Sequence, residues 1–380
     1  MPAPAAFDDL RRWPDLEAPE LQAWDTADAY LLDEAARDID GSDIVVIGDT
    51  HGALTLGALG RGARSVRVHQ DPVVGELALA ANAEHLGLDG FTSLPLEAEL
   101  VEGATVVLLR LPRSLEALDE IAALLAAHAS PDVVVYAGGR IKHMTVGMNP
   151  VLERHFARLD VSLARGKSRL LIARQPRPGT ASTPREAYLP ELDLRVVATG
   201  GVFAGPRLDI GTRALLEVLD EVPTAGTIID LGCGTGILAA QAKRSQPTAR
   251  VIASDQSASA VASARLTMAA NGLDVEVVRE DALATQPDDS ADVILLNPPF
   301  HTGAAVHGEV ATRLFEEAAR VLRPGGELWA VWNSHLQYTP RLRAIVGATR
   351  QVHRTPKFTV TASTFTVSDH RPLARSGPDQ

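Results

Sequence analysis

The two halves of this 380-residue chain show the same order of apolar runs, turns and helical segments. In each half a β-branched run, at residues 43–47 and 227–231, breaks into a glycine-containing turn that leads into small residues. Short apolar strands that alternate with helical segments are typical of βαβ units and of a parallel sheet. The sequence therefore predicts an α/β chain of two tandem Rossmann-like domains, each a mostly parallel sheet with helices on both faces.

A segment rich in Pro, Gly, Ser and Thr, residues 175–184, lies between the two copies and has neither helical nor strand periodicity. The length also agrees with two domains, at about 150 residues per domain. We expect a first domain over residues 1–175, a linker over 176–190, a second domain over 191–375 and a loose tail over 376–380.

Composition excludes several classes of protein. A single cysteine, Cys233, excludes an intramolecular disulfide framework and a zinc site built from several cysteines. The apolar runs fall far short of the roughly 18 residues of a membrane span. The first residues also lack the basic and apolar regions of an export signal. We expect a cytoplasmic enzyme that acts as a monomer, without a metal ion and without a membrane partner.

The formal charge of −12 argues against a uniformly basic nucleic-acid-binding surface. The charge is uneven, however, because residues 140–177 contain nine bases and two acids, and residues 341–375 contain seven bases and one acid. Such runs are usually solvated surfaces. They would supply phosphate contacts if an independent feature indicated RNA.

The strand ends of the second copy have the residues of a nucleoside-binding site. Its strand-to-helix turn contains Asp230, Gly232, Gly234 and Gly236. Asp255 follows the next strand, where a carboxylate can accept hydrogen bonds from both hydroxyls of a ribose. Asp281 follows the third strand, where a carboxylate can accept from an adenine amine. Dinucleotide and S-adenosylmethionine sites share these features, so the turn alone does not choose between them.

The four residues that directly follow the next apolar strand indicate which reaction the site carries out. They are Asn297, Pro298, Pro299 and Phe300. The Asn297 amide oxygen and the Pro298 carbonyl form a row of acceptors with no competing proline donor, and Phe300 offers a ring on which a planar base can stack. Two acceptors that hold the hydrogens of a planar nitrogen stabilise the charge that develops as a methyl group arrives. The sequence therefore predicts N-methylation, with Asn297, Pro298 and Phe300 as the catalytic residues.

These residues together resemble a known family. The second domain resembles class I S-adenosylmethionine-dependent methyltransferases, and nearly the whole chain resembles the two-domain ribosomal RNA guanine-N2 methyltransferases. The motifs behind the resemblance are residues 201–203, 208–212, 230–236, 297–301, 322–327, 333–338 and 357–358. The resemblance implies S-adenosylmethionine as the cofactor and ribosomal RNA, free or in a ribosomal subunit, as the partner.

The resemblance also assigns roles to residues. The expected cofactor contacts are Asp209, Thr212, Asp230, Gly232, Gly234, Gly236, Asp255, Asp281 and Asn297. The expected substrate contacts are Phe203, Pro299, His335, Arg140, Lys142 and Lys357. The same four-residue motif occurs in methyltransferases that act on a protein glutamine or a nucleic-acid adenine, so both remain alternatives. A nicotinamide oxidoreductase and a non-catalytic RNA-binding assembly factor fit the acids and the motif less well.

The first copy lacks the cofactor residues. Val46 stands in the position of Asp230, Thr50 in that of Gly234 and Gln70 in that of Asp255. Arg110 and Arg113 stand at the ends of the segment that replaces the motif of Asn297. We expect a degenerate methyltransferase-like domain that binds no cofactor. We also expect Arg110, Arg113 and the basic stretch 140–177 to offer cations to RNA.

Overall fold

A computed structural model provides the structure of residues 7–18, 20–177, 179, 182–298 and 304–366. The chain divides into two compact units. The first contains the chain up to Tyr188 together with Arg195–Pro206 and Gln256–Thr267, and the second contains Leu189–Leu194, Arg207–Asp255 and the chain from Met268 onward.

The first unit contains a seven-stranded sheet. Its strands are β1 (Asp43–Ile47), β2 (Ser65–His69), β3 (Phe91–Ser93), β4 (Val106–Arg110), β5 (Val134–Arg140), β6 (Phe156–Val161) and β7 (Ser168–Pro176). Their order across the sheet is β3-β2-β1-β4-β5-β7-β6. The first five strands in this order pair in parallel with one another, and β7 pairs antiparallel with both β5 and β6.

Helices connect the parallel strands, because a parallel pair needs a crossover connection. In the first half these are α3 (Ala53–Leu59), α4 (Val73–Leu86), α5 (Ala98–Val101) and α6 (Leu115–His128), while α1 (Thr26–Glu34) and α2 (Ala36–Ile39) precede β1 and α7 (Met148–His155) precedes β6. Alternate residues of β1 are buried in two different clusters, Ile44 and Val46 in one and Val45 and Ile47 in the other. Both faces of this sheet are therefore covered, as is typical of parallel sheets.

The second sheet repeats the first. Two further strands precede it, β8 (Arg185–Leu189) and β9 (Leu194–Ala198), which pair with each other. The strands of the second sheet are β10 (Thr227–Leu231), β11 (Arg250–Asp255), β12 (Glu276–Arg279), β13 (Ala291–Leu296), β14 (Leu322–Asn333), β15 (Gly347–Arg354) and β16 (Phe358–Phe365). Their order, β12-β11-β10-β13-β14-β16-β15, matches that of the first sheet strand for strand. The predicted duplication of one α/β fold is confirmed.

The remaining helices are α8 (Ile210–Leu216), α9 (Ile237–Ser245), α10 (Ala258–Asn271), α11 (Ala304–Val321) and α12 (Thr339–Ile345). The central strands β10 and β13 are buried on both faces, with Ile229 and Ile294 in one cluster and Ile228 and Val293 also fully buried. β8 lies within the segment expected to be a linker. Within the described ranges, no helix is long and apolar enough to cross a membrane.

Arg110 corrects one expectation. Its Nη1 donates to both carboxylate oxygens of Asp28, at 2.7 and 2.8 Å, and its Nη2 donates to Asp25 at 2.7 Å. Asp28 is fully buried, and it forms a capping box with Asp25 at the start of α1. The prediction that Arg110 offers its charge to RNA was wrong, because acids of the N-terminal stretch neutralise it inside the fold.

Candidate active site at the carboxyl edge of the second sheet

The predicted site residues of the second copy follow neighbouring parallel strands. Asp230 lies within β10, Asp255 ends β11 and Asn297 comes directly after β13. β10 pairs in parallel with both other strands. Because the carboxyl ends of neighbouring parallel strands meet at one sheet edge, these side chains share the edge where α/β folds bind ligands.

The glycine turn after β10 has a backbone that other residues rarely adopt. Gly232, Gly234 and Gly236 have φ angles of +76°, +55° and +80°. The Gly234 N–H donates to Asp255 Oδ2 at 3.0 Å. A Cβ at Gly234 would meet no atom within 4 Å, so the turn leaves open space beside its backbone. This backbone can approach a ligand closely.

Asp230 is almost fully buried below the turn. Its Oδ2 accepts from the Ala239 N–H of α9 at 2.9 Å, while its buried Oδ1 accepts no hydrogen bond within the part of the chain that is described. Burial raises the pKa of Asp230 to about 7, the Ala239 N–H opposes this rise, and the charge of Asp255 adds to it. A buried, unpaired carboxylate oxygen costs stability, and a ligand N–H or O–H would satisfy it.

Two acidic residues, Glu280 and Asp281, follow β12 and have different surroundings. Glu280 is buried and accepts from Ser254 Oγ at 2.9 Å, from the Thr285 N–H at 2.7 Å and from Gln286 Nε2 at 2.9 Å. These internal contacts make it a structural residue. Asp281 is the more accessible of the two, and its carboxylate pairs with Arg313 of α11.

The side-chain amide of Asn297 is held by Asp209 and Thr212. Its Nδ2 donates to Asp209 Oδ2 and to Thr212 Oγ1, each at 3.1 Å. Its buried Oδ1 accepts no hydrogen bond from the residues that the structure describes. A carboxylate only accepts hydrogen bonds and an amide nitrogen only donates them, so this pattern assigns the orientation of the amide. Asn297 therefore presents an unpaired acceptor beyond the end of β13.

The two partners of Asn297 belong to the start of α8. Asp209 is the N-cap of this helix, and its Oδ2 accepts from the N–H groups of Gly211 at 2.9 Å and Thr212 at 3.3 Å. Asp209 and Thr212 were predicted as cofactor contacts, and that role stays a prediction. Their contact with Asn297 is an addition that the sequence did not indicate.

Most of the remaining expected residues of the second half lie at the surface or outside the described ranges. Pro298 is buried, whereas Pro299 and Phe300 lie outside the residues that the structure describes. Phe203 is 60% exposed. The Ser334 N–H donates to the Lys357 carbonyl at 2.9 Å, which brings the exposed His335 and Lys357 to neighbouring positions beside the end of β14.

The residues at this edge fit S-adenosylmethionine, the cofactor that the sequence predicts. The unpaired Asp230 oxygen suits the amine of its amino-acid part, and the open turn leaves space for a ligand beside its backbone. Among the described residues, no cluster of His, Cys, Asp and Glu could hold a metal ion.

Comparison with known proteins identifies the family. A family model described as the methyltransferase small domain matches residues 193–362, and one described as the RLMG N-terminal domain matches residues 3–177. A ribosomal RNA large subunit methyltransferase G of Streptomyces avermitilis is 36% identical, over 92% of this chain and 95% of its own length. One of Pseudomonas fluorescens is 35% identical, over 94% of this chain and 97% of its own length.

The chain belongs to the ribosomal RNA large subunit methyltransferase G family. It is a methyltransferase, and the two-domain class I fold expected from its motifs is confirmed. A solved structure described as the T. thermophilus 16S rRNA N2 methyltransferase RsmC, in complex with AdoMet and guanosine, shares this fold. Its TM-score is 0.74 at 23% identity, and the match covers 92% of this chain and 97% of the other.

The basic stretch of this family member divides into paired and unpaired cations. Several arginines are paired with acids: Arg154 with Asp119, Arg158 and Arg174 with Asp160, and Arg165 with Asp33. Others form neither an ion pair nor a side-chain hydrogen bond within the described ranges. These are Arg113, Arg140, Lys142, Lys167 and Arg169, which we call the cation cluster.

The cation cluster lies at the carboxyl edge of β4 and β5 in the first unit. Arg113 follows β4, Arg140 ends β5, and the Ile141 N–H donates to the Lys167 carbonyl at 2.9 Å. Desolvation and the charges of Arg113, Lys142 and Arg140 lower the pKa of His143. Three cations of the cluster therefore lie close enough to His143 to lower its pKa. Counting charges along the sequence did not predict this grouping.

Proposed function

We propose that this chain transfers a methyl group from S-adenosylmethionine to the exocyclic N2 of a guanine in ribosomal RNA of the large subunit. The observation behind this proposal is the amide of Asn297, whose donors are engaged and whose oxygen is unpaired. A fixed acceptor beside a cofactor edge suits a substrate nitrogen that donates hydrogen bonds.

The proposed chemistry needs positioning more than a strong base. The N2 amine of guanine is planar, and its lone pair is delocalised into the ring. Asn297 Oδ1 and the Pro298 carbonyl would accept its two hydrogens and stabilise the positive charge that develops on nitrogen. S-adenosylmethionine supplies the methyl group, so that a C–N bond forms as the C–S bond breaks. The methylated nitrogen then loses one proton to solvent.

The cofactor would be held by residues of three strand ends. Asp255 would accept from the ribose hydroxyls, Asp281 from the adenine amine, and Asp230 from the amino-acid part. Gly232, Gly234 and Gly236 would allow the backbone to approach. Phe300 stays our candidate for stacking on the base, and Phe203, Pro299 and His335 stay candidates for contact with the RNA.

Guanine is favoured over the alternatives by the relatives. The curated relatives are named for the large ribosomal subunit, and the structural neighbour is described as an N2 methyltransferase in complex with guanosine. A protein glutamine or an adenine would present a similar N–H pair to Asn297, so both are retained as outcomes of the test.

We propose that cations of both units contact the phosphates of the RNA. Lys142, Arg140 and their neighbours in the cation cluster have no acid to neutralise them within the described ranges, and they suit phosphate contacts. Lys357 offers a further exposed charge in the second unit. We also propose that the protein acts in the cytoplasm as a monomer, and light scattering of the purified protein would test the monomeric state.

The test is mass spectrometry of ribosomal RNA from a strain that lacks this protein. We expect the loss of one N2-methylguanosine from large-subunit RNA, restored by the wild-type chain and not by Asn297→Ala. Unchanged N2-methylguanosine would refute the assignment. Tritium transfer from cofactor to purified subunits, followed by separate digestion with ribonuclease and protease, would then show whether RNA or a protein glutamine is the acceptor.

A further inference from the structure

Three residues at the start of α8 enclose the amide of Asn297. Asp209 and Thr212 accept its two N–H bonds, each at 3.1 Å. Gly211 lies against the same amide, because a Cβ at this position would be 2.8 Å from Asn297 Oδ1 and 3.2 Å from Nδ2. We call Asp209, Gly211 and Thr212 the amide socket. Its shape admits the flat amide only while residue 211 has no side chain.

The socket accepts the amide in one orientation. If the amide were reversed, Asn297 Oδ1 would face the Asp209 carboxylate, and two acceptors would oppose each other. The nitrogen would then point toward the substrate and present donors to an amine that itself donates. The orientation set by Asp209 is therefore also the orientation that N-methylation requires.

We propose that Asp209, Gly211 and Thr212 are positioning residues that fix the Asn297 amide with its oxygen available to the substrate amine. This inference rests on the proposed function, because it assumes that Asn297 touches the nitrogen that is methylated. It gives Asp209 and Thr212 a role in the methyl-transfer step, and the expected contact with the cofactor is not needed to explain them.

Asp209 is suited to this task because its Oδ2 already has a fixed place. The same oxygen accepts two backbone N–H bonds of the helix N-terminus and the Asn297 amide. The helix cap therefore holds the carboxylate, and the carboxylate holds the catalytic amide. A group held by a rigid partner needs less reorganisation when the reaction occurs.

The first test separates the helix cap from the amide contact. Asp209→Ser keeps a good N-cap residue but is too short to reach Asn297, and Thr212→Val keeps the shape but removes the hydroxyl acceptor. We expect kcat to fall by at least about tenfold for each variant, with the KM for S-adenosylmethionine nearly unchanged. Thr212→Ser restores the hydroxyl and should recover most of kcat.

Thr349→Val is the matched control, because Thr349 is a part-buried threonine whose hydroxyl bonds to Ser363 at 3.0 Å in β16 of the same unit. It should keep the wild-type kcat. Thermal unfolding midpoints of all variants show whether each one is folded. Equal values of kcat for Thr212→Val and Thr212→Ser would overturn the inference. A rise in cofactor Kd with unchanged kcat would overturn it too and would favour the cofactor role.

A second substitution that relieves the charge conflict gives a positive test. Asn297→Asp alone places a second carboxylate against Asp209, and we expect activity to fall below about a hundredth of wild type. Adding Asp209→Ser removes the opposing carboxylate while the serine still caps α8, and the oxygens of residue 297 stay available as acceptors. The double variant should exceed Asn297→Asp by at least about tenfold, which is a coupling that independent residues do not show.

The readout distinguishes this inference from the proposed function. Total tritium transferred to deproteinised ribosomal RNA is measured, whichever base receives it. If the wild-type enzyme labels no RNA, the proposed function has failed. If it labels RNA and the double variant shows no recovery over Asn297→Asp, the amide socket has failed while the proposed function stands.

Discussion

Gln70 and Asp255 occupy the same position at the end of the second strand of each sheet, and their side chains make opposite hydrogen bonds. Gln70 Nε2 donates to the carbonyls of Asp49 and Thr50, at 3.1 and 3.3 Å. Asp255 Oδ2 accepts from the Gly234 N–H at 3.0 Å. The second unit therefore has an acceptor at this position, whereas the first unit has an amide that donates to the carbonyls of its own turn.

This difference predicts one cofactor molecule per chain. Asp255→Asn removes the charge that would accept from the ribose hydroxyls, so we expect the affinity for S-adenosylmethionine to fall by about tenfold to a hundredfold. Gln70→Met is the control and should leave that affinity unchanged. Isothermal titration calorimetry measures both the affinity and the stoichiometry. A stoichiometry of two would contradict the prediction that the first unit binds no cofactor.

We expect the replacement of Arg110 to lower the stability of the first unit strongly. Arg110→Gln leaves the fully buried Asp28 without the guanidinium that donates to both of its oxygens, and an uncompensated buried charge costs about 3–5 kcal/mol. We expect a clear fall in the thermal midpoint of the first unit. Arg113→Gln, which removes an exposed cation three residues later, should change that midpoint little. Equal midpoints for the two variants would refute the buried ion pair.

Because Asp230 is buried, we expect the stability of the cofactor-free protein to depend on pH. Burial raises its folded-state pKa to about 7, well above the ordinary value of an aspartate, so at intermediate pH the folded state holds a proton that the unfolded state has lost. The resulting stabilisation is complete below the unfolded pKa and disappears as the pH rises through 7. Between pH 5 and 8 wild type should therefore lose about 3 kcal/mol relative to Asp230→Asn.

Urea unfolding of both proteins at several pH values measures this difference. Asp220→Asn, which alters an exposed carboxylate, is the control and should follow wild type. A constant difference between wild type and Asp230→Asn over this range would show that Asp230 is ionised throughout.

The duplication, the glycine turn and the exit of β13 could be predicted from sequence because each is a local pattern. Apolar runs, glycines and the residues after a strand lie within a few positions of one another. The apolar runs at residues 43–47 and 227–231 form β1 and β10, and the two sheets have the same strand order. Asn297 was recognised for the same reason, because its neighbours in sequence are themselves informative.

Arg110 and the amide socket depend on residues that are distant in sequence. Asp28 and Asp25 lie 82 and 85 positions from Arg110, and Asp209 and Thr212 lie 88 and 85 positions from Asn297. Nothing near Arg110 indicates that it is buried. Gly211, a glycine within a helix, was the one available signal for the socket, because glycine weakens a helix and its presence needs a reason.

The cation cluster leads to a prediction about salt dependence. Each phosphate contact adds about 0.7 to 0.9 to the slope of log K against log salt, so losing two contacts should lower that slope by about 1.5. We expect this change when Arg113 and Lys142 are both replaced by Gln, measured by binding to deproteinised large-subunit ribosomal RNA. Arg154 and Arg158 replaced by Gln remove the same charge, but both side chains are paired with acids, so the slope should change little. If both double variants shift the slope equally, net charge and not the cation cluster governs the binding of RNA.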